Sequence, residues 1–556
     1  MSLQPQASYK VPEETARVAR AIFPKGNVYL RLGDTFGSLF QDADFAELFP
    51  VDGQPALSPV RLMLVLILQF AEGLSDRQAA EAVRTRIDWK YLLCLEITDP
   101  GFDYSVLSEF RARLIEGEWE QKLFDQLLGH LQAQGLLKGQ KQQRTDSTHV
   151  LGVIRDLTRL ELVGETLRYA LDNLAVVAPD WTRAHCPADW LERYGARLQE
   201  YRLPKGHAKR DAYADVIGAD GLALWQALFE PTTPSWLREI PAVQTLQRVW
   251  LQNYTWRENG VLRWRLADEL PSALLAIRSP FDPEARFARK RATDWVGYRV
   301  HLTETCEPDA PRIITQVETS AAPSHDGNFT TPIHAALQAR GLLPTDHLVD
   351  TAYLDAALLV SSREQYGVNL VGPTRHDTSW QARPGSQAFT AKDFQIDWER
   401  QSATCPAGQR SQFWMPAIDS HGQPVIQIKF AKRDCRACSL QTQCTRATPP
   451  RRALTVPRFA QYQALQAAQE RETTQAYTEL YARRSGIEGT RSLGVRMFDL
   501  RRARYLGKIK LHLQHLLIAM AINLTRIGRW LADEPLTQAR PSAFKRLFST
   551  ASPLSA

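Results

Sequence analysis

Two aspartates stand at positions where carboxylates are uncommon. Asp146 lies in QRTDSTHVLG (143–152), whose β-branched residues and alternating pattern predict a strand. Asp350 closes a second short predicted strand, 347–350. Charged residues are depleted in strands, and carboxylates on neighbouring strands could share hard cations through their oxygens. A single aspartate at a strand end is also a common turn or cap residue, so the pattern alone leaves both interpretations open.

A glutamate stands in a basic segment late in the chain. If residues 481–510 are helical, Tyr481, Arg484, Glu488 and Arg491 share one helix face. Between residues 482 and 530 there are eleven Lys/Arg and only two acids. Glycines flank the glutamate on both sides, and glycine allows a backbone to approach another group closely. The pattern fits a site where metal and phosphate meet, and it also fits a solvated basic face with a routine ion pair.

Four cysteines form a second constellation. Cys435, Cys438 and Cys444 are spaced C-x2-C-x5-C, and Cys405 lies upstream. Four thiolates can close a tetrahedral structural Zn²⁺ site. The spacing is looser than two C-x2-C pairs, so reduced free thiols, a redox pair and an iron–sulfur cluster stay open as alternatives.

Composition limits the class of protein that carries these residues. The 556 residues hold 68 Lys+Arg and 61 Asp+Glu, giving a net charge of +7, and 44 % are hydrophobic. These values are ordinary for a folded protein and exclude wholesale disorder. Seven cysteines in so long a chain do not form a disulfide scaffold. The first residues do not resemble a secretory signal, and the apolar runs are too short or too interrupted to span a bilayer. We therefore expect no membrane association and a cytoplasmic location.

The N-terminal part, 1–138, is predicted to be a helical domain. Pro59 can open a helix that stops at Gly73, and Ser75 with Gln78 forms a capping box for the next one. A third helix is predicted from Ser105. Short helices with tight turns permit a DNA-binding helix-turn-helix. Helical bundles that do not bind DNA share the pattern, so DNA contact stays open here.

The remaining chain predicts an α/β protein with a mixed sheet. Strands are predicted at 143–152, 295–306, 312–320, 347–350 and 368–372, and helices at 330–341 and 354–364. The predicted division is a core of 139–155 and 291–375, a helical insertion of 156–290, a Cys-rich, loop-rich insertion of 376–455, basic C-terminal helices of 456–535, and a disordered tail of 536–556. If their strands are adjacent in the sheet, Asp146 and Asp350 could converge.

Three short motifs in this order resemble the DDE transposases of bacterial insertion sequences. They are T-D-S-T at 145–148, V-D-x-x-Y-L at 349–354 and Y-x2-R-x3-E at 481–488. The resemblance covers most of the chain and implies a catalytic domain with an RNase H-like mixed β-sheet. It implies that Asp146, Asp350 and Glu488 are catalytic and hold two divalent cations, Mg²⁺ or Mn²⁺. Similar transposases carry Cys-bearing insertions between the second Asp and the Glu.

The resemblance also implies DNA partners. The expected substrates are double-stranded DNA at the terminal inverted repeats of the element and target DNA, held by a homodimer or higher oligomer in the bacterial, nucleoid-associated cytoplasm. Tyr481 and Arg484 match the family's Tyr and Arg. Where related elements place a Lys seven residues after the Glu, this chain has Val495. The DNA contacts are expected from the basic side chains and the tyrosine of the late segment: Tyr481, Arg484, Arg491, Arg496, Arg501 and Arg502.

The expected function is metal-dependent cleavage and strand transfer of DNA at the ends of an insertion sequence. Two metals about 3.5–4 Å apart act on the attacking and leaving oxygens in such reactions. One alternative is a metal-dependent nuclease on the same fold that does not join strands. The other is a non-catalytic DNA-binding remnant of a transposase.

Overall fold

The N-terminal part of the chain is helical. The structure, a computed structural model, describes residues 2–6, 8–36, 40–137, 141–307, 309–420 and 422–533, and the predicted disordered tail lies outside these ranges. The first helices are α1 (Glu13–Ile22), α2 (Val28–Phe36), α3 (Pro59–Glu72), α4 (Asp76–Thr85), α5 (Ile87–Leu92), α6 (Ser105–Glu116) and α7 (Glu120–Ala133).

The predicted helix boundaries in this part are confirmed. The Ser58 hydroxyl accepts the N–H of Arg61 at the start of α3, with Pro59 in the first turn. Gly73 ends the helix in the left-handed conformation, φ 69°. Ser75 and Gln78 form the predicted capping box of α4. Almost every residue of α3 is buried, so α3 is a core helix of this part.

The insertion follows the first strand, β1 (Gln142–Leu151). It comprises α8 (Arg159–Val177), α9 (Pro179–His185), α10 (Trp190–Tyr194), α11 (His207–Leu228), α12 (Pro241–Asn253), β2 (Tyr254–Trp256) and β3 (Leu262–Trp264). It packs around a hydrophobic core of its own, which includes Trp190, Leu224 and Trp250. The short hairpin of β2 and β3 was not predicted.

The central sheet then continues with β4 (Arg286–Lys290), β5 (Thr293–Thr305), β6 (Ile314–Ala321), α13 (Thr330–Ala339), β7 (Asp346–Leu348), α14 (Ala356–Tyr366) and β8 (Asn369–Val371). Its strand order is β4-β5-β1-β7-β8, and β6 pairs with β5 beside this path. Strand β5 is antiparallel to both β1 and β6, whereas β7 runs parallel to β1, and β8 runs parallel to β7. This order confirms the predicted RNase H-like mixed sheet within an α/β fold. The β4 strand differs from the prediction, because residues 286–290 were assigned to the helical insertion but pair with β5 in the central sheet.

The C-terminal half contains small sheets and then helices. The Cys-rich part holds β9 (Gln395–Asp397), β10 (Ser402–Thr404), β11 (Phe413–Ile418), β12 (Pro424–Lys429), α15 (Lys432–Arg436), α16 (Gln441–Cys444) and β13 (Ala453–Pro457). The last helices are α17 (Phe459–Glu472), α18 (Gln475–Ala482), α19 (Gly486–Met497) and α20 (Lys508–Trp530). Helix α20 packs against β6 on one side and against α3 and α7 on another. One hydrophobic core therefore joins the N-terminal helices to the sheet.

One helix prediction is wrong. Tyr481 and Arg491 were expected on one continuous helix, but α18 ends at Ala482 and a 3₁₀ turn, Arg483–Ser485, separates it from α19. In the part of the chain that the structure describes, no helix is both long enough and apolar enough to cross a bilayer.

Buried histidines are hydrogen-bonded within the core. His301 Nδ1 lies 2.6 Å from the hydroxyl of Tyr353, and His515 Nδ1 lies 2.8 Å from that of Thr319. Burial lowers the pKa of His301 and of His515 to about 3, and the pKa of His334 to about 4. These histidines are therefore neutral in the folded protein at pH 7.

We expect acid to lower the free energy of unfolding in the pH range between the ordinary pKa of histidine and the lowered pKa values of these buried histidines. The unfolded chain takes up their protons near an ordinary pKa of about 6.5, so the stability is complete above that pH and falls as the pH decreases towards 4. Each such histidine contributes about 1.4 kcal/mol per pH unit in this window. Thermal unfolding should show a midpoint that drops from pH 7.5 to pH 5.

The matched variants are His512→Gln and His376→Gln. Burial lowers the pKa of His512 to about 4, whereas His376 is exposed. Between pH 7.5 and pH 5, the thermal midpoint of His512→Gln should fall less than that of the wild type. The midpoint of His376→Gln should fall by as much as that of the wild type. A midpoint independent of pH between 7.5 and 5 would contradict this account.

Candidate functional site

The register of the sheet places the two predicted aspartates side by side. Strands β1 and β7 pair in parallel, with Arg144 opposite Leu348. Asp146 and Asp350 each lie two residues beyond this pair, so both side chains belong to the same face of the sheet. The Asp350 side chain also caps the 3₁₀ turn Thr351–Tyr353, accepting the N–H of Ala352 at 2.9 Å.

Asp146 is the buried carboxylate of the pair. It is 8 % exposed, and its Oδ1 accepts the N–H of Ser147 at 2.9 Å. Arg484 Nη2 lies 3.2 Å from Oδ1, and Arg491 Nη1 lies 3.3 Å from Oδ2. Burial raises the pKa of the Asp146 carboxyl above its ordinary value, although the two guanidinium groups oppose the rise.

The same two arginines connect Asp146 to the other predicted acids. Arg484 Nη2 lies 3.9 Å from Asp350 Oδ2, and Arg491 is paired with Glu488 on the preceding turn of α19. The side chains of Asp350 and Glu488 are 33 % and 47 % exposed. The guanidinium groups of Arg484 and Arg491 therefore lie among the three predicted acids at one partly open edge of the sheet. These acids are Asp146, Asp350 and Glu488.

A basic strip continues along β1 beside Asp146. Arg501 Nε donates to the Thr148 hydroxyl at 2.8 Å, and the backbone of Arg501 accepts the N–H of Leu151. Burial lowers the pKa of Arg501, and the neighbouring Arg491 adds to this effect. Arg496 and Arg502, in the same basic segment of the chain, are exposed.

Tyr481 lies at the opposite end of the site. Its ring stacks on Tyr477 with centroids 5.4 Å apart, and both rings pack against the ends of β7 and β8. Burial raises the pKa of the Tyr481 hydroxyl. Tyr481 therefore anchors α18 against the sheet immediately before Arg484.

The four predicted cysteines lie around one small cavity. Cys405, Cys435, Cys438 and Cys444 line a space of about 30 Å³. Backbone N–H groups of Gln409 and Arg452 donate to the sulfurs of Cys405 and Cys435, at 3.3 and 3.4 Å. Burial raises the pKa of the Cys444 thiol, and the guanidinium of Arg452 opposes the rise.

Within the described ranges, no group of three or more His, Cys, Asp or Glu side chains is close enough to hold a metal ion. The sequence analysis missed two further charged residues in the central sheet, Arg144 of β1 and Glu304 of β5, which form a buried ion pair. Their charge at strand positions was the available signal, since it is the signal that selected Asp146.

Family comparison gives two separate matches. Residues 404–528 match the model of a transposase DDE domain, a stretch that contains the four cysteines and Glu488. Residues 17–113 match the model of the transposase domain DUF772, which covers much of the N-terminal helices. No curated protein matches the chain. Two distant stretches of the chain thus match transposase domains, and its resemblance to the DDE transposases of insertion sequences is confirmed.

Proposed function

We propose that this transposase cleaves DNA at the ends of an insertion sequence and joins the cut strand to target DNA. The observation that carries the proposal is the convergence of Asp146, Asp350 and Glu488 on Arg484 and Arg491. Carboxylates from two neighbouring strands and a late helix, surrounded by cations, suit a reaction at a phosphodiester.

The chemistry of the donor set at this edge suits divalent cations, and the three carboxylates would have to move closer together to share one ion. Asp146 and Asp350 offer hard carboxylate oxygens, and the Arg484 guanidinium already supplies the positive charge that their closeness requires. Asp146, Asp350 and Glu488 would hold two Mg²⁺ or Mn²⁺ ions. Such a pair, when bound, activates the attacking oxygen and stabilises the leaving one.

The arginines would then be available to the substrate. Arg484 and Arg491, which pair with Asp146 here, could bind phosphate oxygens of the substrate if cations compensated that carboxylate. Arg496, Arg501 and Arg502 extend the same positive strip. Most of the DNA affinity would come from such phosphate contacts, which are insensitive to sequence and weaken with salt.

Both ends of the element must be held together before they are joined to target DNA. This requirement suggests a homodimer or higher assembly on the terminal inverted repeats, with target DNA as the further partner. A chromosomal substrate agrees with the expected location in the bacterial cytoplasm. A nuclease that does not join strands and a non-catalytic DNA-binding remnant are the alternatives that the first experiment separates.

The first experiment removes single negative charges. Asp146→Asn, Asp350→Asn and Glu488→Gln should each reduce Mg²⁺-dependent cleavage of the element's end by about 100-fold or more, since several kcal/mol of transition-state stabilisation depend on the metals. Labelled end DNA is incubated with target DNA in Mg²⁺, Mn²⁺ or EDTA, and cut and joined products are counted. The exposed Glu479 of α18 gives the matched control, Glu479→Gln.

The products decide between the three functions. Joined strands support the transposase, whereas cleavage without joining supports the nuclease. Binding without cleavage in any metal supports the non-catalytic remnant. Full cleavage by Glu488→Gln would overturn the proposed role of that carboxylate.

The second experiment tests the basic strip. Arg501→Gln should weaken binding of the end DNA and reduce the slope of log affinity against log salt by about one, because one phosphate contact is lost. Arg183→Gln removes the same charge from an exposed position in the insertion. Equal salt slopes for the two variants, measured by fluorescence anisotropy, would remove Arg501 from the DNA interface.

The third experiment concerns the cysteines, for which we propose a structural Zn²⁺. Their thiols would have to close further around the cavity than they do here. One zinc per chain is expected by elemental analysis after purification in reducing buffer. Cys435→Ser should lose the zinc and lower the thermal midpoint, whereas Cys186→Ser, in the insertion, should do neither. A fully folded protein without zinc would contradict the proposal.

A further inference from the structure

A fully buried carboxylate lies behind the proposed active site. Glu304 of β5 has a side-chain exposure of 0 %. Leaving a charge in the core without partners costs far more than a typical side-chain contact contributes. Glu304 is compensated by two arginines and one hydroxyl, and the three come from different elements.

The first partner is Arg144, two residues before Asp146 on β1. Its Nε donates to Glu304 Oε1 at 2.7 Å, and its Nη2 lies 2.5 Å from the same oxygen. Its Nη1 donates to the carbonyl of Arg483, in the 3₁₀ turn before α19. A Cβ added at Gly486 would clash with this guanidinium, so the start of α19 rests directly on Arg144.

The other two partners hold the second carboxylate oxygen. The Thr490 hydroxyl of α19 donates to Glu304 Oε2 at 2.6 Å, and Arg526 Nη1 of α20 donates to it at 2.8 Å. Arg526 also donates to the Thr490 hydroxyl. We call Arg144, Glu304, Thr490 and Arg526 the Glu304 cluster.

The Glu304 cluster holds α19, the helix that carries Glu488. The Glu488 side chain itself has few other contacts that fix its position. Glu488 is half exposed and pairs with Arg491 of its own helix. Its place therefore depends on the backbone of α19. Directional hydrogen bonds fix both the rotation and the axial position of a helix, and a displacement of about 1 Å at a reacting group can cost 100-fold in rate.

We propose that the Glu304 cluster is a positioning device that sets Glu488 of α19 against Asp146 and Asp350. The inference rests on the proposed function, and it assigns no contact with metal or DNA to the cluster itself. Because Arg144 and Asp146 belong to one strand, the cluster ties α19 to the strand that carries the first aspartate. The cluster thereby couples the position of the Glu488 carboxylate to that of Asp146.

The main test removes one hydroxyl without changing the shape of the side chain. Thr490→Val keeps the volume, whereas Thr490→Ser keeps the hydroxyl. Thr478→Val on α18 makes the same change at an exposed position, where the hydroxyl bonds only to its own helix. The readouts are the Mn²⁺ concentration for half-maximal cleavage, the affinity for end DNA, the thermal midpoint, and amide hydrogen exchange in residues 486–497.

Thr490→Val should raise the Mn²⁺ concentration for half-maximal cleavage by about 10-fold or more and speed exchange in residues 486–497. The DNA affinity should stay close to that of the wild type, and the thermal midpoint should fall only slightly, because Arg144 and Arg526 still compensate Glu304. Thr490→Ser should restore the metal dependence and the exchange to those of the wild type. Metal dependence and exchange equal to the wild type in Thr490→Val would overturn the inference. A uniform loss of DNA affinity, midpoint and cleavage would also overturn it, since that pattern indicates a general structural role.

A second pair of variants tests the Arg144 contact. Gly486→Ala should speed exchange in residues 486–497, although alanine favours a helix, because its methyl group displaces the guanidinium. Gly489→Ala is the control, since a Cβ there meets no atom within 4 Å. Equal exchange in the two variants would contradict the proposed contact.

The outcomes separate this inference from the proposed function. If Glu488→Gln cleaves normally, the proposed function fails, whatever the exchange data show. If Glu488→Gln is inactive while Thr490→Val matches the wild type, the positioning inference alone fails.

Discussion

The ion pairing of Asp146 is the interaction on which the rest of this arrangement depends. The Asp146 carboxylate is 8 % exposed on a central strand of the sheet, so its charge must be compensated by cations. Arg484 and Arg491, more than 330 positions later in the chain, supply the positive charge. The late helices are therefore held at this edge of the sheet by charge as well as by apolar packing. Divalent cations would provide the same charge compensation for Asp146, which links the packing of the late helices to the proposed chemistry.

Different parts of the fold position the three acids. The parallel register of β1 and β7 sets Asp146 and Asp350, and a buried hydrogen bond between Thr145 and His347 also links the two strands. Glu488 depends on a helix that is held at both ends. Its start rests on Arg144, and the segment after it pairs with β1 through Leu151. Helix α20, packed between the sheet and the N-terminal helices, supports this arrangement from behind.

Features that depend only on the local sequence pattern could be predicted from the sequence. The strand around Asp146 and the helix caps around Gly73 depend on neighbouring residues, and both were predicted. The break between α18 and α19 was not, because the spacing of Tyr481 and Arg491 suits a continuous helix and the turn is shaped by a distant guanidinium. The pairing of Arg144 with Glu304 joins residues 160 positions apart, and a charge in one strand does not identify its partner in another. The metal ligands and DNA contacts stay predictions.

The central claim is that Asp146, Asp350 and Glu488 share a pair of divalent cations when DNA is bound. The most direct measurement is anomalous diffraction from crystals of the protein with end DNA and Mn²⁺. The account predicts two peaks about 3.5–4 Å apart between these three side chains, with Arg484 and Arg491 moved from Asp146 onto phosphate oxygens. Peaks elsewhere, or arginines still paired with Asp146 in the presence of metal and DNA, would contradict it.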